Sequence, residues 1–177
     1  DMYCTQGPSS TETFKLLESK HETFKVYETG WSKVDPYFKS EAHVSTKPTV
    51  LYATTFTKGI TSAPVLVDTI TKLVKEKPWN WRLTFHPKLD DQTVLDKYRK
   101  LADEHENVTF IDNVSTEDFQ QADVMLCDSS SIILEFMLFN KPVVTYRNTK
   151  PGSHLLNTQN INEVENALEV AFTRPKE

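Results

Sequence analysis

Cysteine is scarce in this sequence. Only Cys4 and Cys127 occur, each inside an apolar run, with no CxxC pair and no Cys/His cluster. That spacing argues against a disulfide framework or a zinc site, and both thiols are expected to be buried and reduced in a cytosolic protein. Long apolar runs are missing as well. No stretch approaches the ~20 residues that a membrane span requires, and no signal-peptide pattern opens the chain. Basic residues are outnumbered, 20 Lys and Arg against 25 Asp and Glu, for a net charge of −5. A domain that wraps nucleic acid needs clustered Lys and Arg, so the balance argues against that partner. A small anionic ligand needs only a local positive field. No spaced acidic pair is present to hold a divalent ion against a nucleotide, since Asp90 and Asp91 are adjacent, and neither metal nor cofactor is expected. Internal repeats and low-complexity tracts are absent too.

The 177 residues, 38% hydrophobic and 25% charged, are enough for one domain with a real core. Short β-rich runs alternate with amphipathic helical stretches, which is the pattern of parallel βαβ units. Strands are expected at 2–5, 24–28, 49–54, 81–85, 108–111, 124–127 and 142–146. Helices are expected at 10–18, 33–40, 62–76, 92–104, 115–122, 130–139 and 162–172, with 41–48 a connector and 147–160 a polar loop. The result is an α/β fold, a Rossmann-like doubly wound parallel sheet with helices on both faces. Ligands in such sheets bind beyond the carboxyl ends of the strands. The loops after Thr54, Phe85, Ile111, Cys127 and Tyr146 are therefore the ones that matter.

One of those loops is chemically distinctive. Asp128-Ser129-Ser130-Ser131 leaves an apolar strand and opens an apolar helix. Unpaired amides in a first helical turn, together with the positive end of the helix dipole, favour an anion. Serine side chains let a phosphate approach closely. Glu135, four residues after Ser131, falls on the same helix face and could accept ribose hydroxyls. The plainer alternative is that Asp128 or Ser129 caps the helix and Glu135 is solvated. His86 lies where strand 81–85 ends, and its imidazole could pair with a phosphate or donate to a leaving oxygen; the alternative is a surface histidine before a proline turn. Trp79 and Trp81 read as packing, and Lys72, Lys75 and Lys77 as a cluster complementing a helix end.

The run Ala122-Asp123-Val124-Met125-Leu126-Cys127-Asp128-Ser129-Ser130-Ser131-Ile132-Ile133-Leu134-Glu135-Phe136, followed by Asn140-Lys141-Pro142-Val143-Val144, resembles the C-terminal signature of CDP-glycerol glycerophosphotransferases. These are the teichoic-acid polymerase and primase type. The shared pattern is an Ala-Asp, a second Asp five residues on, two serines after one intervening residue, an acid four residues later, then Lys-Pro before the next strand. Ser129 stands where the family usually has an aromatic, and Glu135 where it often has Asp, so base and sugar stay open. His86-Pro87 resembles the family's Arg-x-His-Pro, but Arg82 lies two residues too far away and is not carried over. Tyr52, Ala53 and Thr55 match the family's Tyr-Ala-Pro-Thr-Trp-Arg loop, and Thr29-Gly30 through Asp35 resembles its Thr-Gly-x-Pro-x-x-Asp turn, where Gly30 permits an unusual backbone angle.

The resemblance implies one GT-B half-domain over residues 1–177, of the C-terminal, donor-nucleotide type, with the N-terminal acceptor domain missing; the opening at Asp1 looks cut from something longer. It implies a catalytic His86 and nucleotide contacts from Thr55, Asp128, Ser129, Ser130, Ser131 and Glu135. The partners implied are a CDP- or UDP-linked donor and a polyol-phosphate or glycan acceptor, in a cytoplasmic parent protein peripheral at the inner face of the plasma membrane. UDP-GlcNAc 2-epimerases share a similar motif, although its two glycines are absent here, so half of a UDP-sugar transferase or epimerase is the second expectation. A nucleotide- or protein-binding module without chemistry is the third.

Overall fold

A computed structural model describes residues 1–39 and 46–173. The expected connector at 41–48 falls largely outside the described residues. The contacts divide the chain into two compact units, Asp1–Glu41 and Ala42–Glu177, where the sequence pattern suggests one continuous domain.

The first unit is a single βαβ crossover. Strands β1 (Met2–Thr5) and β2 (Lys25–Glu28) pair in parallel, Met2 opposite Lys25, around helix α1 (Pro8–His21). Proline at the start of α1 sits where a missing N–H costs nothing, and Glu22 ends the helix in the left-handed region at φ 57°. Tyr3 stacks on Phe14 with ring centroids 4.1 Å apart. The Glu18 carboxylate accepts from Lys15, Lys25 and the Val26 N–H, and the Lys15 bond leads in lowering its pKa to about 2. Two strands cannot cover their own faces: α1 has no buried residue, and Cys4, expected to be buried, is exposed. A short 3₁₀ helix, Ser32–Lys39, follows. Gly30 precedes it at φ 80°, a left-handed turn that suits glycine.

The second unit is built on six parallel strands: β3 (Thr49–Thr54), β4 (Asn80–Phe85), β5 (Val108–Ile111), β6 (Val124–Cys127), β7 (Val143–Tyr146) and β8 (Leu156–Thr158). Their order across the sheet is β5-β4-β3-β6-β7-β8. Every residue of β3, β6 and β7 is buried, as expected of strands covered on both faces. Val50, Tyr52, Leu83, Leu126 and Val144 pack against helices α2 (Ala63–Glu76), α3 (Gln92–Glu104) and α6 (Val164–Thr173). Helices α4 (Thr116–Gln121) and α5 (Ile132–Phe136) meet through an edge-on contact of Phe119 and Phe136.

Two ion networks tie elements together. Lys77 Nζ lies 2.6 Å from both Glu165 Oε1 and Glu169 Oε1, joining α2 to α6. Arg82 on β4 donates to Asp118 on α4. Lys141 Nζ donates to the carbonyls of Phe119, Gln120 and Ala122 at 2.6 to 2.8 Å, closing the end of α4, where the orphan carbonyls favour a cation. Trp79 and Trp81 are both core residues.

Two expectations change at the carboxyl edge. The helix expected over 130–139 is α5, five residues long, continued by a 3₁₀ turn at Met137–Phe139 and closed by Asn140 in the left-handed region at φ 51°. The polar loop expected at 147–160 contains strand β8, which adds to the edge of β7.

Candidate functional site

The strand order has a direct consequence. From β3 the chain moves outward to β4 and β5 on one side, and from β6 outward to β7 and β8 on the other. Connections that diverge from adjacent parallel strands leave a crevice between them, at their carboxyl ends. Here that crevice lies between the segment after Thr54 and the segment after Cys127, strands that pair directly, with Ala53 opposite Cys127.

Asp128 ties the two walls together. It lies two residues past Leu126, so the strand alternation turns it toward the face that α2 covers, and it is wholly buried. One carboxylate oxygen accepts from the Thr55 N–H at 2.8 Å, and the other from the Ser62 N–H at 2.8 Å and Ser62 Oγ at 3.0 Å. Ser62 is the residue from which α2 springs, so the carboxylate also faces the positive end of that helix dipole. Ser62 Oγ, having given its proton to Asp128, accepts from Tyr52 Oη at 2.9 Å. Tyr98 Oη donates to the Ala63 carbonyl at 2.8 Å. Burial pushes the Asp128 carboxyl up and the bonds from Ser62 and Thr55 oppose it, leaving it above the usual carboxylate value. Burial likewise pushes the neighbouring Cys127 thiol upward, and Cys127 is buried as expected.

This changes the part Asp128 plays. Its carboxylate is committed to the protein's own donors, so it holds the crevice walls instead of facing into the crevice. Nor does it cap α5: Ser131 occupies that cap, without a side-chain bond. The five residues of α5 begin at Ile132, so Ser129 and Ser130 belong to the turn before the helix.

The serine turn is braced from a third side. Asn148, on the segment after β7, donates through Nδ2 to the Asp128 carbonyl at 2.8 Å, and the Thr149 N–H donates to Ser129 Oγ at 2.9 Å. Ser129 and Ser130 are half-buried and Ser131 is exposed, while Glu135 on α5 is 9% exposed. His86 sits at the end of β4, half-buried, its ring 4.3 Å from that of Phe56. Arg82 is spent on Asp118. Thr55, Asp128 and Ser129 are linked through these hydrogen bonds. His86 joins the same strand edge through Phe56.

Three contributors were not legible as candidate site residues, Ser62, Asn148 and Phe56, and Tyr52 showed only as part of the family's loop. Ser62 shows in sequence only as a helix start, and Asn148 as one polar residue in a polar loop. Among the described residues, no three His, Cys, Asp or Glu side chains gather as they would around a metal ion, and no helix is long and apolar enough to cross a membrane.

A doubly wound parallel sheet with its crevice at the β3/β6 crossing, walled by polar loops, defines a Rossmann-like domain of the GT-B fold. Solved structures with this fold include the E. coli heptosyltransferase WaaC with ADP-2-deoxy-2-fluoro heptose, with TM-score 0.59 at 11% identity, covering 94% of this chain and 57% of that one. The UDP-GlcNAc 2-epimerase from Methanocaldococcus jannaschii gives 0.59 at 16% identity, covering 97% and 56%. The S. aureus MnaA–UDP structure gives 0.56 at 19%, covering 90% and 51%. This chain thus spans a little over half the length of these three proteins. No curated protein matches it by sequence. The sequence model for CDP-glycerol:poly(glycerophosphate) glycerophosphotransferases matches residues 6–150, and the chain belongs to that family.

Proposed function

We propose that this chain is the donor-nucleotide-binding part of a glycerophosphotransferase-type enzyme, which moves a polyol phosphate from a CDP-activated donor to a cell-surface polymer or glycan. The observation that carries this is the Asp128 clamp at the crossing of β3 and β6, in a chain of this family. It fixes both walls of the crevice before any ligand arrives, and preorganisation of that kind lowers the cost of binding. The donor diphosphate would lie against Ser129, Ser130 and Ser131, beside the Thr55 turn. Glu135 would take the ribose hydroxyls, and His86 would meet the phosphates.

In the reaction so proposed, an acceptor hydroxyl attacks the β-phosphorus of the donor. The new P–O bond forms as the bond to the α-phosphate oxygen breaks, and cytidine monophosphate leaves with the negative charge. Catalysis comes from positioning and from stabilising that charge. The base that takes the hydroxyl proton would belong to the acceptor side, in a further domain. The family's description names a poly(glycerophosphate); on this reading the acceptor is a polymer of the teichoic-acid type, and the parent protein would be cytoplasmic with a cell-envelope role.

A UDP-linked sugar donor is the second reading, because the S. aureus MnaA structure contains UDP and Ser129 and Glu135 depart from the family pattern. Calorimetric titration with CDP-glycerol, CDP, UDP and UDP-GlcNAc separates the two. We expect the cytidine compounds to bind in the range of about 0.1–1 mM, without turnover by this chain alone. A clear preference for the uridine compounds would overturn the first reading, and silence with all four would overturn both.

A further inference from the structure

Phe56, His86 and Lys88 form a cluster at the ends of β3 and β4 that goes beyond this reading while resting on it. Phe56 is 40% exposed, an unfavourable place for a phenyl ring that has nothing to do. Its ring lies 4.3 Å from the His86 imidazole, tilted by 38°, and the Lys88 ammonium sits 5.5 Å from its centroid. On the other side of the chemistry, the Lys88 backbone N–H donates to His86 Nδ1 at 3.1 Å.

That last bond decides which proton the imidazole carries. A neutral imidazole has one N–H and one bare nitrogen. Nδ1 accepts from Lys88, so Nδ1 is the bare one and the proton resides on Nε2. The opposite tautomer would set N–H against N–H. With Nδ1 occupied and Nε2 protonated, the ring has a donor to offer and no free lone pair.

We infer that Phe56 is a positioning residue: with the Lys88 main chain it holds His86 as an Nε2–H donor, so that His86 serves the donor phosphates by giving a hydrogen bond and does not act as the base. The ring contact limits rotation of the imidazole, which alone would otherwise be free to swing away from the Lys88 N–H. A hydrogen-bond donor aimed before the substrate arrives costs no reorganisation during the reaction.

Two measurements test this. First, ¹⁵N spectra of the histidine-labelled chain in alkaline buffer, with the His86 signals assigned by their loss in His86→Gln, should show a protonated Nε2 and a bare Nδ1. Phe56→Leu should move those shifts toward the average of the two tautomers, and Phe56→Trp should restore them. An Nδ1–H tautomer in the unaltered protein, or shifts indifferent to Phe56→Leu, would overturn the inference. Second, CDP-glycerol affinity should fall about tenfold in Phe56→Leu and recover in Phe56→Trp. His86→Gln, whose amide nitrogen reaches the Nε2 position, should bind better than His86→Asn; the reverse order would overturn the donor role. If the tautomer responds to Phe56 but no variant binds CDP-glycerol, the positioning stands and the donor reading above fails.

Discussion

A carboxylate removed from water survives only if donors of the protein replace its hydration. Asp128 meets that condition with the Thr55 and Ser62 amides and the Ser62 hydroxyl. The same bonds make it costly to replace, because its removal orphans three buried or half-buried donors at once. Asp128→Ala should lower the unfolding free energy by about 3 kcal/mol, read by urea denaturation. Asp128→Asn should fall between, since it keeps one accepting oxygen but turns an amide N–H toward another N–H. Nucleotide affinity should be lost in both before the protein unfolds; full stability in Asp128→Ala would show that the clamp holds nothing. Asp128 was legible as a candidate site residue, yet its commitment to the protein's own donors was not. Whether the residue two past Leu126 faces a ligand or a helix depends on which side of the sheet α2 covers, and that is settled by chain crossover, not by local pattern. Phe56 was hidden for a similar reason: its partner His86 is thirty residues away on the next strand.

Among the elements, α4 shows how a helix too short to stand alone is held. Six residues give few internal bonds, so its ends carry the load: Ser115 and Asp118 cap one another at the start, and Lys141 closes the finish. Arg82 then binds Asp118 to the sheet. Burial raises the Asp118 carboxyl, but the bonds from Arg82 and Ser115 together outweigh it and leave the pKa lowered from 3.8. A carboxyl depressed on folding stabilises the native state above its unfolded pKa, and that stability drains away as pH falls through the folded value. Acid titration of unfolding should therefore show a loss beginning near pH 3.8 and continuing below it. Asp118→Asn should remove that acid-sensitive part and cost about 3 kcal/mol at neutral pH by leaving Arg82 unpaired. An unchanged acid profile in Asp118→Asn would dismiss the pair as a determinant. The expected bounds 2–5, 49–54, 92–104, 108–111 and 124–127 match the observed ones, and of these 49–54 and 124–127 are apolar runs buried throughout. Strand β8 escaped notice because only Thr158 of its three residues is buried. It is recruited instead through polar pairing, Thr145 Oγ1 with Asn157 Oδ1 at 2.9 Å. The expected helix at 130–139 was overlong because serines ahead of an apolar run look like a cap wherever the true turn begins.

At the scale of the whole chain, strand and helix alternate on both sides of the connector expected at 41–48, and that connector is the sequence's one sign of the division into Asp1–Glu41 and Ala42–Glu177. The division shows in burial. In the first unit Leu16 is 70% exposed and α1 buries nothing, and a two-stranded sheet is marginal in water. In the second, β3 is buried from end to end and pairs on both sides. Backbone amides exchange with solvent through the cheapest opening available to them, so the two units should differ widely. Amides of β1, α1 and β2 should exchange at least about a hundredfold faster than those of β3 and β6, measured by hydrogen exchange with mass spectrometry. Adding CDP-glycerol should slow exchange across 55–62 and 128–131 and leave 2–28 unchanged, because every residue of the proposed crevice belongs to the second unit. Equal protection in both units would mean that the first opens only when the six-stranded sheet does. Its exposed strands would then owe their order to the fold as a whole, and the donor crevice could no longer be treated as the property of one unit.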